Sequence, residues 1–229
     1  MRTLIIVTHP SYTSSTTQHF FKESTAGLEQ VTWHVLDQQI KADGHFDVTA
    51  EQQLVATHDR IIFQFPLYWY SAPFLLKQWI DEVIDWNLKK KSSKELGLVV
   101  TLGVKASHFQ SGGREGFTLS ELYRPFHALA QTLHWTFLPP LNVFKFAQLT
   151  EDEKKLLLIR YRRYVTHNRE DSLIQRETWA VNELEQLIAQ TTDASRKMQL
   201  QLVVDVLLNN QQQRLDLEHE LEPFRWERD

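Results

Sequence analysis

The chain has 229 residues, a formal net charge of −4 and no cysteine. That length can bury one good core and leave residues over for an appendage. A slightly acidic balance excludes a chain-wide attraction to nucleic acid or anionic membrane. Without cysteine there is no disulfide framework, no thiolate nucleophile and no cysteine metal site, a composition that fits a reducing compartment. The hydrophobic fraction of 42% and charged fraction of 24% are those of an ordinary globular protein. The apolar run Leu4–Val7 is too short for a signal-peptide core, and no apolar run approaches the roughly 20 residues of a membrane span. The expectation is a soluble, cytoplasmic protein.

TLIIVT (3–8) is a continuous β-branched run, the pattern of a parallel strand buried on both faces. A Ser/Thr-rich segment, 11–17, leads into a helix ending near Gly27. VTWHVL (31–36) alternates as a second strand, Thr49 to His58 forms a short helix, and RIIFQFP (60–66) is a third strand stopped by Pro66. An amphipathic helix follows, with Leu75, Leu76, Trp79, Ile80, Val83 and Ile84 at three-and-four spacing. KKKSSKE (89–95) is a solvated turn and LGLVVTLG (96–103) a fourth strand. After SGGREG (111–116), which holds three of the seven glycines, come a helix from Leu119 to His134, a fifth strand over 135–146 and a closing helix from Glu151 to Val165. Strands alternating with helices at this pitch imply a parallel sheet covered on both faces.

From about Asn168 strand signals vanish and polar residues dominate. Leu173, Glu177, Ala180, Val181, Leu184, Leu187 and Ile188 mark one stripe, and Leu200, Val203, Val204, Leu207 and Leu208 a second. The break near Thr191-Thr192-Asp193 supplies a helix stop and a new N-cap. The reading is a sheet domain over 1–168 and a helical hairpin over 169–229. Its stripes need a covering surface from its own domain, another subunit or another protein.

Ligands of open parallel sheets bind outside the carboxyl ends of the strands. Three loops occupy those ends: HPSYTSSTTQ (9–18), PLYWYSAP (66–73) and TLGVKASHF (101–109). The first lacks both GxGxxG and a P-loop lysine. It has six Ser/Thr residues in positions 11–17 running into a helix start, where free N–H groups and the dipole suit a phosphate. Plain N-capping explains the same residues. In the second, Tyr68-Trp69-Tyr70 stand between two prolines where core packing does not require them; flat walls suit a flat heterocycle, a loop cover or a subunit interface. The third ends at Gly103, where backbone can approach a ligand. SGGREG is either a lid or an ordinary loop. His127 and His134 share one side of a helix without a third ligand, so no metal site is expected.

HPxxxxSxxQ (9–18), residues 50–83 with FQFPLYWYSAPFLLKQW at their centre, TLGVKASHF (101–109) and GFTLSELYRPFHAL…WTFLPPL (116–141) together resemble the flavodoxin-like NAD(P)H:quinone oxidoreductases. That group includes DT-diaphorase, the modulator-of-drug-activity reductases and the ancillary flavoproteins of glutathione-gated potassium efflux. The resemblance covers residues 1–165. It implies a doubly wound five-stranded parallel α/β sheet, non-covalent FMN (or FAD), NAD(P)H as donor, a quinone or similar acceptor, and a homodimer. His9, Ser15, Thr16, Thr17 and Gln18 would hold the flavin phosphate region. Pro66, Leu67, Tyr68, Trp69 and Tyr70 would lie along the ring, and Thr101, Leu102, Gly103 and Val104 at its polar edge. His108 is the side chain nearest to a catalytic role, steadying ring charge.

Three departures stand out: Gln18 for asparagine, Thr101-Leu102-Gly103-Val104 for Thr-Thr-Gly-Gly, and Phe109 for tyrosine. If the position of Val104 needs positive φ, valine is costly there. The main expectation is a flavin-dependent quinone reductase. The rival is a regulatory ancillary subunit whose helical tail docks on a partner such as a transporter; a one-electron carrier is weaker, because Lys105 and Arg114 stand where carriers are acidic.

Overall fold

The computed structural model describes residues 1–85, 88, 94–167 and 172–221, and divides into two compact units, Met1–Thr166 and His167–Asp229. In the first, β1 (Thr3–Val7), β2 (Val31–Val35), β3 (Arg60–Pro66) and β4 (Glu95–Leu102) are joined through α1 (Thr16–Ser24), α2 (Val48–Ala56) and α3 (Phe74–Val83). All strand pairs are parallel, in the order β2-β1-β3-β4 and then the fifth strand. This order reverses between β1 and β3, so a crevice opens there beyond the carboxyl ends.

The two-residue period of the strands divides the core into two layers. Leu4, Ile6, Phe63, Phe65, Leu98 and Val100 face the layer containing Leu75, Leu76, Trp79 and Val83 of α3. Ile5, Val7, Ile62 and Val99 face Phe21 of α1 and Leu157, Tyr161 and Val165 of α6 (Glu151–Thr166). Every residue of β1 and β3 is buried, and each such Leu, Ile or Phe contributes about 1.5–3 kcal/mol. Trp79 is fully buried and satisfies its indole by donating to Glu51 at 2.8 Å; the same carboxylate meets His34 at 2.9 Å.

The fifth strand differs from the uninterrupted segment expected over 135–146. It consists of β5 (Thr136–Phe137), paired with Glu95 and Leu96, and β6 (Leu141–Phe144), paired with Val99 to Leu102. Pro139 and Pro140 lie in the gap, where neither can donate to a ladder. The N–H of Leu98, opposite the gap, donates instead to the Tyr164 hydroxyl of α6 at 3.0 Å. A Cβ on Gly97 would stand 2.7 Å from that hydroxyl, so glycine makes room for it. The helix expected over 119–134 is likewise two pieces, α4 (Leu119–Leu122) and α5 (Arg124–Leu133), closed by a left-handed His134. His127 of α5 stacks on Phe137 at 5.0 Å. Most of the turn expected over 89–95 lies outside the described residues.

The second unit pairs α7 (Leu173–Gln190) with α8 (Ala194–Leu221). Ser172 caps α7 by accepting from Gln175 N–H, and Asp193 accepts from Ser195 N–H at 2.8 Å. The least exposed positions of α8 are Leu200, Val204, Leu207, Gln211 and Arg214, and Arg214 pairs with Glu177 of α7. Glu177, Val181, Leu200, Val204 and Leu207 of the expected stripes are interior, and Gln211 and Arg214 extend the second stripe with polar residues. Leu173, Leu187, Val203 and Leu208 of the stripes are exposed. No described helix is long and apolar enough to cross a membrane.

Candidate active site

Two adjoining clefts open at the carboxyl edge of the sheet. The larger, about 320 Å³, is lined by His9 and Thr17 from the β1–α1 segment, Pro66 to Tyr68 after β3, Thr101 to Gly103 at the end of β4, and Val143 and Lys145 to Gln148 at the end of β6. The smaller, about 220 Å³, is bounded by Leu67, Trp69, Tyr70, Leu102, Gly103, Val104, Phe109, Arg114 and Glu115. Leu67, Leu102 and Gly103 are common to both.

Each wall has a local cause. The His9 backbone N–H donates to Asp37 at 3.2 Å, and Ser11 N–H donates to His9 Nδ1 at 3.1 Å. That second bond makes Nδ1 an acceptor and leaves the proton of a neutral ring on Nε2. Burial pushes the His9 pKa down, against a smaller opposing pull from Asp37. Ser15 is the N-cap of α1, its hydroxyl accepting from Gln18 N–H at 3.3 Å. Capping is therefore what this serine does within the fold, and the first turn of α1 contains no acidic residue.

Leu67 N–H donates to Thr101 O at 3.0 Å, tying the loop after β3 to the end of β4. Tyr68 and Ser71 then exchange both backbone hydrogen bonds, each 3.0 Å. This closes a two-residue turn with φ of 47° at Trp69 and 65° at Tyr70. Positive φ at both central residues is the type I′ pattern, usually built from Asn and Gly because bulky L-residues are strained there. Trp69 is 93% exposed, so burial does not compensate its strain. The Tyr70 hydroxyl donates to Glu115 at 2.9 Å, and Arg114 pairs with the same carboxylate. The Arg114 and Tyr70 hydrogen bonds hold Glu115 below the usual carboxylate range, while Glu115 pushes the Tyr70 phenol up. The aromatic turn and the glycine-rich loop are thus pinned together by an ionised carboxylate.

Among the candidates from the sequence, His9, Thr17, Pro66, Leu67, Tyr68, Trp69, Tyr70, Thr101, Leu102, Gly103 and Val104 line one cleft or both. Ser15, Thr16, Gln18 and His108 line neither. Gln18 is fully buried, its Oε1 accepting from Gln64 at 2.6 Å while Tyr161 donates to Gln64 at 2.7 Å. It is part of an interior amide chain rather than a wall. His108 lies in a 3-10 turn over Ala106–Phe109, with Nδ1 3.7 Å from Glu115, and Phe109 of that turn faces the smaller cleft instead. Neither Gly103 nor Val104 has positive φ, which removes the strain foreseen for valine. Sequence reasoning missed Val143, Lys145 to Gln148 and Glu115, and used Arg114 only as a charge against a one-electron carrier. The first five were accessible from topology, since the register Thr101↔Val143 carries the end of β6 alongside Gly103. No metal-holding cluster of His, Asp and Glu exists among the described residues.

Residues 1–165 match the family described as having a flavodoxin-like fold. An uncharacterised NAD(P)H oxidoreductase of Bacillus subtilis, YdeQ, is 37% identical over 73% of this chain and 87% of its own. A glutathione-regulated potassium-efflux ancillary protein, KefG of Serratia proteamaculans, is 31% identical over 62% of this chain and 81% of its own. Among solved structures, an NADPH-quinone reductase from P. pentosaceus superposes with a TM-score of 0.68 at 45% identity, covering 73% of this chain and 99% of that one. General stress protein 14 of Treponema denticola, in complex with FMN, reaches 0.61 at 31% identity, over 72% and 95%. With the strand order, the crevice and this match over most of its length, the chain belongs to the flavodoxin-like family.

Proposed function

We propose that the chain is a flavin-dependent NAD(P)H oxidoreductase of the quinone-reductase type, with FMN preferred over FAD. The observation that carries this is the continuous pair of clefts at the β1/β3 switch point, walled on one side by the Tyr68-Trp69-Tyr70 turn and on another by the end of β4. The donor set fits a flavin nucleotide. Thr17, in the acid-free first turn of α1, and His9 offer a polar end; Leu67 and the aromatic turn offer a flat apolar wall; Thr101 to Val104 supply backbone along the opposite edge. When bound, a flavin accepts hydride from NAD(P)H and passes electrons to a quinone or similar acceptor.

The chain's residues would orient these ligands and exclude water. In the fold as described, no titratable side chain other than His9, Tyr68, Tyr70, Arg114, Glu115 and Lys145 lines either cleft. His108 retains only an indirect part in this proposal, through its proximity to Glu115. The exposed Trp69 and Phe74, 93% and 79%, support a homodimer that covers this face, and a cytoplasmic location belongs to the same proposal.

The test is the visible spectrum of the purified protein before and after anaerobic NADPH. A yellow protein bleached by NADPH is the expected result; a colourless protein that takes up neither FMN nor FAD overturns the reading. A second reading, a regulatory subunit, is favoured by the likeness to KefG and by the exposed Leu202, Val203 and Val206 of α8. It predicts a bound flavin that NADPH reduces poorly.

A further inference from the structure

We infer that Lys145 is an anion-binding residue of the larger cleft and contributes to holding the phosphate of the flavin nucleotide. The inference rests on the flavin reading above and adds to it a cationic contact from the fifth strand, which no residue of the β1–α1 loop provides.

Four observations converge on this residue. Lys145 lines the same cleft as His9 and Thr17. It occurs where β6 ends, in a left-handed conformation with φ of 49°, and its N–H donates to Leu102 O at 2.7 Å. A strained non-glycine residue of this kind persists only where its surroundings enforce it, and such residues gather at ligand sites. The next residue, Phe146, packs its ring on Phe20 and Phe21 of α1 at 5.1 and 6.4 Å. The loop carrying Lys145 is thereby fixed to the helix whose first turn carries Thr17. Finally, the Lys145 ammonium has no carboxylate partner or hydrogen bond among the described residues, whereas Arg114 pairs with Glu115 and Arg60 with Glu95.

The charges already at this end favour adding a cation. The Asp37 carboxylate accepts from the His9 backbone N–H, and burial favours the neutral form of His9. Without Lys145 the polar end would offer an anion only neutral donors and helix N–H groups, close to a carboxylate. A lysine is a compact point charge on a flexible stem, suited to a phosphate dianion.

The experiment compares FMN with riboflavin, which lacks the phosphate, by quenching of flavin fluorescence on the full chain and its Lys145→Gln and Lys145→Arg variants. Glutamine is unbranched like lysine and one atom shorter, so it removes the charge without adding a β-branch in the left-handed turn. Loss of a charged hydrogen bond should weaken FMN binding by about 10- to 100-fold in Lys145→Gln. Riboflavin binding should stay within about twofold, and Lys145→Arg should recover most of the FMN affinity. Equal weakening of both flavins means a structural role and overturns the inference, as does an unchanged FMN affinity. Should riboflavin bind too weakly to measure, failure of Lys145→Arg to restore FMN binding would overturn it. A wild-type chain that binds no flavin is distinguished at once, because it refutes the flavin reading itself.

Discussion

Replacing Trp69 with asparagine separates the energetic cost of the aromatic turn from its use. Trp69 has φ of 47° and is 93% exposed, so it makes few contacts that folding could exploit. An L-residue in the left-handed region costs about 1–2 kcal/mol, and asparagine, whose side chain bonds locally, avoids most of that cost. The apoprotein should gain about 1 kcal/mol, a rise of roughly 2–4 °C in Tm for a unit the size of Met1–Thr166. The same substitution strips an aromatic face from the smaller cleft. Ring contacts of this kind are worth about 0.5–1.5 kcal/mol beyond the area they bury, so FMN affinity should fall by up to about tenfold. Tm must be read by circular dichroism on flavin-free protein, because bound ligand adds its own stabilisation. A lower Tm would refute the strain argument. A higher Tm with unchanged FMN affinity would show that the turn serves something other than the flavin.

Tyr164→Phe should leave the buried Leu98 N–H without its acceptor and cost about 1–3 kcal/mol in urea unfolding, with loss of hydrogen-exchange protection at Leu98. Gly97→Ala should also destabilise, and less so in the Tyr164→Phe background, because the hydroxyl 2.7 Å from the new Cβ is then absent. Glu82, held at about 2 chiefly by the Phe46 N–H and then by Gln78, has a folded pKa below its ordinary 4.5. Its stabilisation is complete above pH 4.5 and lost as pH falls toward 2, so Glu82→Gln should flatten the acid limb of a stability–pH curve. In the second unit, removing either Glu177 or Arg214 should lower helical stability more than replacing both with leucine, since a lone charge is left in a half-buried place. Helical circular dichroism melts check the order.

The parallel sheet was legible because β1, β3 and β4 are buried almost throughout and dominated by apolar residues, and β2 by its alternation. RIIFQFP reads as a strand over the same residues that form β3. The fifth strand was misjudged because its β-branched and aromatic content outweighed Pro139-Pro140, which split it. The compensation is nonlocal: Tyr164 and Gly97 are remote in sequence from the prolines they accommodate, and no local pattern links them. The hairpin stripes were legible in their middle, where Val181 and Val204 are buried, and not at their margins. Apolarity extended the interior to Leu187 and Val203, which are exposed, and gave Glu177 no partner, whereas Arg214 beyond the second stripe supplies one.

The carboxyl-edge rule applied to β1, β3 and β4 leads to three loops that line the clefts, and it omits the fifth strand because it was not carried that far. What no sequence rule supplied was backbone conformation. Trp-Tyr is a poor type I′ pair, and Lys145 follows a strand without any glycine to mark the turn. Among the described residues four non-glycine positions have positive φ: Trp69, Tyr70, His134 and Lys145. His134 is accounted for as the left-handed cap of α5. The other three all line the clefts. Local preference is overruled here by the Tyr68–Ser71 exchange, the Tyr70–Glu115 bond and the Phe146 packing. Places where consistent local rules give way are where function is expected, and in this chain that criterion links the aromatic turn to Lys145, two segments that share no motif.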